Sequence, residues 1–388
     1  MSPPPLIYAD YNATTPLDPA VREVIVAALD QPWANPSSIH RLGRDARATL
    51  DDARDRTAAL WGCRPSEVVF TSGGTEANNL AVLGAARARA QSSSHRHLVC
   101  SPTEHHAVLL AHEYLARHEG FSLSWLPVDG VGRVHPEAVA RALRPDTALV
   151  SVMAANNETG IIQPFQEIGR LCRSRGVLFH TDAVQFFGKC AIPHIASFEA
   201  DLVSVCAHKL HGPKGAGALY IRSPLLPVPL LVGGAHEHER RAGTENLPAI
   251  LGLVTTLERF SKVPVFPETQ LTTWTQELAQ GLATLPAVHS LTAPWPRLAN
   301  TLAFTVRGAD SIALLAALDL EGVLASSGSA CSAGSLTPSH VLLAMGVDPA
   351  LASGLVRLSL GRENTAAEVR RLLEVLPRVV SQVTRGYQ

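Results

Sequence analysis

The stretch Asp201–Gly217, D-L-V-S-V-C-A-H-K-L-H-G-P-K-G-A-G, sets the reading of the chain. Leu202, Val203 and Val205 predict a buried strand, because apolar and β-branched side chains fit a pleated interior. Gly212, Pro213, Gly215 and Gly217 then break regular structure. Lys209 falls between the strand and the glycines, directly after His208. A lysine just beyond a buried strand is costly unless its charge is paired, removed or used. Covalent use of the amine is one solution. A stem lying on the core with its tip in solvent is the other. Taken alone, Lys209 favours the second, and the rest of the chain reverses that.

Working outward, the same pattern repeats. Val68–Thr71 predicts a strand, and Ser72-Gly73-Gly74-Thr75-Glu76 opens a helix through Ala88. Free N–H groups and the helix dipole make such a turn an anion site. Neither G-x-x-x-x-G-K-[ST] nor G-x-G-x-x-G is present there, and tight turns also use glycine without binding anything. Leu98–Cys100 predicts a strand ending near His105, and Ala148–Met153 one that leads to Asn156-Asn157-Glu158. Val177–His180 leads to Asp182 and Gln185. Asp182 is either a helix cap or a carboxylate held for a cationic ring nitrogen. These residues all fall at the carboxyl ends of strands, where open α/β sheets place their sites. Alternating strands and helices argue a mostly parallel sheet covered on both faces.

Further along, His236-Glu237-His238-Glu239 resembles a metal cluster. Its spacing is not H-E-x-x-H and no third ligand is evident, so a loop making polar contacts is the preferred reading. The boundary between a large and a small domain is expected near Thr255. The large domain then spans 16–255, and the small one 1–15 with 256–388. Ser326–Ser335 carries only small side chains and is expected to be mobile, with Cys331 exposed on it as a candidate nucleophile. Thr337-Pro338 is expected to cap and start the next helix. Arg357 lies in the apolar strand Leu355–Leu360 and calls for an anion such as a substrate carboxylate.

Composition excludes several classes. The chain has 388 residues, 46% hydrophobic and 17% charged, enough for a full core in one large or two medium domains. A formal net charge of −1 gives no reason to expect nucleic acid or a membrane surface as partner. No export signal or membrane-length apolar run is visible. The six cysteines form no C-x-x-C pair and read as reduced thiols in a cytoplasmic protein.

The motifs D-Y-N-A-T-T-P, N-P-S-S-I-H, T-S-G-G-T-E, T-E-H-H-A-V-L, N-N-E-T-G, H-T-D-A-V-Q, H-K-L-H-G-P-K-G, R-A-G-T-E-N and S-S-G-S-A-C, in this order, resemble cysteine desulfurases of the NifS/IscS type. These are pyridoxal 5'-phosphate enzymes related to class V aminotransferases. The resemblance runs from about Tyr8 to Arg362. It implies a fold-type I α/β architecture with a seven-stranded-type sheet and a smaller α+β domain that carries the cysteine loop, about 326–337.

The resemblance also implies roles. Lys209 matches the lysine that carries the cofactor, Asp182 the carboxylate at the ring nitrogen, and Gln185 the contact to the ring oxygen. His105 matches the histidine stacked on the ring, and Asn157 the asparagine beside it. Gly74, Thr75 and His208 match the phosphate site. Cys206 stands where many members have a serine, which is a stronger donor. Thr244 matches a threonine that reaches the phosphate of the other subunit of a homodimer. Arg357 and Asn35 match contacts to the substrate carboxylate. Cys331 matches the catalytic cysteine, which takes sulfur from L-cysteine as a persulfide and passes it to an acceptor. Iron–sulfur scaffolds and tRNA thiolation are the acceptor routes implied. His105 is the expected proton carrier. His238 and Glu239 depart from the family's usual H-E-x-G-x-R. A selenocysteine lyase, another class V enzyme and a non-catalytic scaffold are the competing readings.

Overall fold

The computed structural model describes residues 5–291, 295–328 and 337–385. A seven-stranded sheet organises it, in the order β2-β8-β7-β6-β5-β3-β4. The strands are β2 (Val68–Thr71), β3 (His97–Cys100), β4 (Ser122–Trp125), β5 (Thr147–Ser151), β6 (Leu178–Asp182), β7 (Leu202–Cys206) and β8 (Gly217–Ile221). β7, β6, β5, β3 and β4 are mutually parallel. β5 and β7 are buried along their whole length, as strands covered on both faces are, while the edge strand β4 is partly exposed.

β8 runs against both neighbours. The chain returns from β7 through the loop that carries Lys209, with no crossover helix between. A direct return of this kind forces antiparallel pairing. That strand has no counterpart in the sequence reading, in which residues 217–221 follow the glycine loop without assignment.

Helices cover the sheet. Asp18 caps the helix Pro19–Leu29, accepting from Ala20 N at 3.0 Å and Val21 N at 3.4 Å. Residues 74–92 form a helix with a π turn at Leu80–Gly84. Thr255 falls inside the helix Leu247–Phe260, which packs on Pro19–Leu29 and Arg41–Trp61.

A second sheet holds β10 (Thr301–Val306) between β9 (Val288–Ser290) and β12 (Leu355–Ser359), all antiparallel. β1 (Ile7–Tyr8) pairs with β11 (Val323–Leu324), and Asp10 bridges to Ser359. The N-terminal segment therefore joins the C-terminal part, which brings Asp10 and Asn12 over the carboxyl ends of the large sheet. One apolar cluster runs through both sheets, from Val203 and Leu257 to Leu302 and Val375.

The helix after the small-residue loop starts later than the sequence reading placed it. Ser339 is its cap, accepting from Leu342 N at 3.3 Å, and the helix is His340–Ala344. The expected cap Thr337 lies two residues upstream. Cys331 and most of its loop lie outside the described residues. Among the described residues, no helix is long and apolar enough to cross a membrane.

Candidate active site

At the carboxyl ends of the parallel strands lies a cavity of about 210 Å³. Its walls include ten of the residues singled out in the sequence: Gly74, Thr75, His105, Asn157, Asp182, Gln185, Cys206, His208, Lys209 and Arg357. Asn35 and Thr244 lie elsewhere, on a separate surface hollow, with Asn35 Nδ2 3.5 Å from Thr244 Oγ1. The structure therefore does not bring Asn35 to Arg357 within one chain.

Each wall residue is placed by its element. Asp182 ends β6 and is buried. Its Oδ1 accepts from Val184 N at 2.9 Å and its Oδ2 from Asn78 Nδ2 at 2.6 Å. Burial pushes the Asp182 carboxyl above the usual range, while those two donors and the Lys209 charge oppose the rise. A cation set against Asp182 would hold it ionised. His105 caps the helix His106–His118, with Nδ1 accepting from Ala107 N at 3.1 Å. Burial, then the charges of Lys209, His106 and His340, lower it to about 4. At neutral pH its ring is uncharged with the proton on Nε2.

Lys209 Nζ donates to the backbone oxygens of Asn12 at 2.7 Å and Ala13 at 2.6 Å. The N-terminal segment thus closes the cavity over the lysine. His208 Nδ1 meets Thr14 Oγ1 at 3.1 Å, and burial followed by the Lys209 and Lys214 charges lowers it to about 4. The Cys206 thiol is pushed up to about 11 by burial, although backbone N–H groups of His208 and Lys209 point at it. Gly74 is required by close approach: a Cβ there would lie 2.9 Å from Val184 Cγ2. That leaves the helix N-terminus open to the cavity.

Arg357 is 1% exposed and already has an anion, Asp10, at 2.7 Å. It also donates to the carbonyls of Asn157 at 2.9 Å and Gly328 at 2.5 Å. Its Nε is buried with no hydrogen-bond partner among the described residues. A buried donor of this kind is suited to a further carboxylate.

The His236–Glu239 turn proves structural at Glu237. Glu237 is buried and grips Arg54 through Nη2 at 2.6 Å and Nη1 at 2.8 Å, and it accepts from Phe70 N at 2.8 Å. Glu237, His238 and Glu239 all have left-handed backbone, at φ 48°, 55° and 63°. No group of three or more His, Cys, Asp or Glu among the described residues is placed to hold a metal ion.

Three polar residues of the site carried no role in the sequence reading. Asn78 holds Asp182. Asn12 takes Lys189 and Asn300 on its Oδ1, at 2.6 and 3.0 Å. Lys189 is buried four residues after Gln185. The only signal for Lys189 was its position among apolar neighbours in Q-F-F-G-K.

The donor set fits one kind of group at both ends. A helix N-terminus opens at one side, a buried carboxylate with spare acceptor capacity lies at the other, and an amine sits between. A phosphorylated heteroaromatic aldehyde matches all three, and the protein is a pyridoxal-phosphate enzyme of fold type I. More closely, the chain belongs to the class V aminotransferase family, which it matches over residues 7–372. The cysteine desulfurase IscS of Methanosarcina thermophila is 42% identical over 377 residues, covering 97% of this chain and 92% of its own. A solved NifS-like protein superposes with a TM-score of 0.88 at 35% identity, covering 97% of this chain and all of that one (100%). A structure titled SspA in complex with cysteine gives 0.80 at 33% identity, covering 92% of this chain and 99% of that one.

Proposed function

We propose that the protein is a cysteine desulfurase that converts L-cysteine to L-alanine and leaves the sulfur as a persulfide on Cys331. The observation that carries this reading is the convergence of Lys209, Asp182 and Arg357 on one cavity. The name of the IscS relative and the cysteine in the SspA title support it.

Pyridoxal phosphate would be held by Lys209 covalently, by Asp182 at the ring nitrogen, by Gln185 at the ring oxygen and by the His105 ring. Asn157 lies beside it. Gly74, Thr75, Cys206 and His208 would hold its phosphate. Thr244 would reach the phosphate site of a second subunit, which is why it lies off its own cavity. When bound, the cofactor supplies an electron sink at the substrate Cα.

The chain's own residues do the rest. Arg357 Nε receives the substrate carboxylate, and Asn35 is assigned to the same carboxylate from the other subunit. Lys209 Nζ takes the Cα proton. The Cys331 thiolate attacks the substrate sulfur. The Cβ–S bond breaks, an S–S bond forms, and protons returned to carbon give alanine. His105 holds its proton on Nε2, facing this chemistry. Cys331 must reach in for sulfur and out to an acceptor protein, which a loop of small residues permits. The acceptor is an iron–sulfur scaffold or a tRNA-thiolation partner, in a reducing cytoplasm where a persulfide donor is useful.

The test is the visible spectrum of the purified protein before and after L-cysteine, with alanine and sulfide assayed together. Equal rise of alanine and sulfide in wild type, and loss of sulfide in Cys331→Ala, is the expected result. Sulfide that survives Cys331→Ala overturns the persulfide route. A selenocysteine lyase would instead prefer selenocysteine and tolerate that substitution.

A further inference from the structure

Lys189 is 6% exposed and, among the described residues, has no carboxylate as a hydrogen-bond partner. Its Nζ donates to Asn12 Oδ1 at 2.6 Å and to Gln185 Oε1. It also faces the Phe266 ring, 5.3 Å from the centroid. An ammonium surrounded by amide oxygens and a ring is a costly thing to bury. Burial, then the charges of Lys209 and Arg357, push it well below the ordinary lysine range. Cys190 and Cys206 are the other titratable groups that act on it.

What this lysine accomplishes is visible on Gln185. One end of that side-chain amide, Nε2, donates to the backbone oxygen of Asn12 at 2.9 Å. The other end, Oε1, accepts from Lys189. A carbonyl oxygen cannot donate, and a lysine amine keeps N–H groups whether or not it is charged. Only one orientation of the Gln185 amide satisfies both neighbours. Nε2 has two hydrogens, and only one is used by Asn12. The second is left for the cavity that Gln185 lines.

We infer that Lys189 is a positioning residue, which together with the Asn12 carbonyl locks the Gln185 amide so that an N–H donor, and not the carbonyl oxygen, meets the oxygen of the cofactor ring. The same lysine holds Asn12, whose backbone oxygen receives Lys209 Nζ. One buried amine therefore sets two groups around the cofactor lysine. The inference rests on the placement of the ring oxygen at Gln185.

The test uses the cofactor-loaded protein and the pH dependence of its visible absorbance, with pyridoxal-phosphate affinity from equilibrium dialysis as a second readout. A donor on the ring oxygen drains negative charge from it and weakens its hold on the neighbouring proton. Loss of the donor raises the midpoint of the absorbance titration. Lys189→Met should raise it by about one pH unit, the scale of one hydrogen bond to a charged acceptor. Gln185→Leu should do the same, and Lys189→Met should add nothing in the Gln185→Leu background. Lys189→Arg, which keeps its donors, should return the midpoint towards wild type. Circular dichroism checks that each variant folds, and Lys189→Leu is read in the same way if Lys189→Met does not. A wild-type midpoint in Lys189→Met overturns the inference. So does a Lys189→Met shift that persists in Gln185→Leu, which would mean that the lysine acts by its charge alone. A Gln185→Leu protein that titrates as wild type overturns the placement of the ring itself.

Discussion

The side-chain amide of Asn78 donates to the carboxylate of Asp182 across 2.6 Å. Asn78 rides on the helix whose first residue, Gly74, opens onto the cavity. One helix therefore fixes both the N-terminus that opens on the cavity and the buried carboxylate that lines it. Asn78→Ala should weaken pyridoxal-phosphate binding about tenfold, the scale of one hydrogen bond to a charged group. Asp182→Asn removes the charge and should lower turnover by about 100-fold or more. Equilibrium dialysis and steady-state assay check the two. An Asn78→Ala protein with unchanged affinity would mean that Val184 N alone holds Asp182.

Acid should destabilise the cofactor-free protein through its buried histidines. His105, His112 and His208 are lowered to about 4 and His180 to about 3, each mainly by burial. Between pH 6.5 and 4 the unfolded chain binds more protons than the folded one. Stability is therefore full above pH 6.5 and falls as the pH drops towards 4. His112 is fully buried, with Nδ1 on Val108 O at 2.9 Å and Nε2 without a hydrogen-bond partner among the described residues. On its own it accounts for roughly 3 kcal/mol of that loss. His112→Leu should flatten the acid limb in urea titrations from pH 7 to 4.5. An unchanged slope would remove His112 from the account.

The sheet and the order of the site residues were legible because both follow local rules. Strands of β-branched residues end in polar loops, and Lys209, Asp182, His105 and Gly74 each stand at such an end. The direction of β8 was not legible, since it depends on how the H-G-P-K-G loop returns the chain. Asn12, Asn78 and Lys189 were missed for a related reason. Their partners are 104 to 288 residues away or, for Gln185, hidden inside a turn. The anion expected at Arg357 turned out to include Asp10, brought there by the pairing of β1 with β11.

Arg54 and Glu237 form a buried bidentate pair, 6% and 0% exposed at the side chains. Removing one partner strands the other charge, which costs about 3–5 kcal/mol. Glu237→Ala should therefore lower the urea midpoint strongly, and the double variant Arg54→Met/Glu237→Met should recover a good part of the loss. The pair anchors the left-handed turn of Glu237–Glu239 to the helix Arg41–Trp61 and to the N–H of Phe70 on β2. If Glu237→Ala unfolds at the wild-type midpoint, the turn is held by other contacts.

Cys206 offers a test in the stabilising direction. Its thiol, pushed up to about 11, stays protonated at neutral pH and lines the cavity next to Gly74. A thiol is a weak donor and a hydroxyl a strong one. Cys206→Ser keeps the shape of the side chain and would give a phosphate held at the end of β7 a better partner. Its affinity for pyridoxal phosphate should rise by about three- to tenfold, within the net value of an ordinary hydrogen bond. Cys206→Ala removes only the weak donor and should change affinity little. Dialysis of the three proteins side by side separates the cases. If serine binds no tighter than cysteine, the phosphate does not reach the end of β7, and the helix N-terminus at Gly74 and Thr75 carries it without help from that strand.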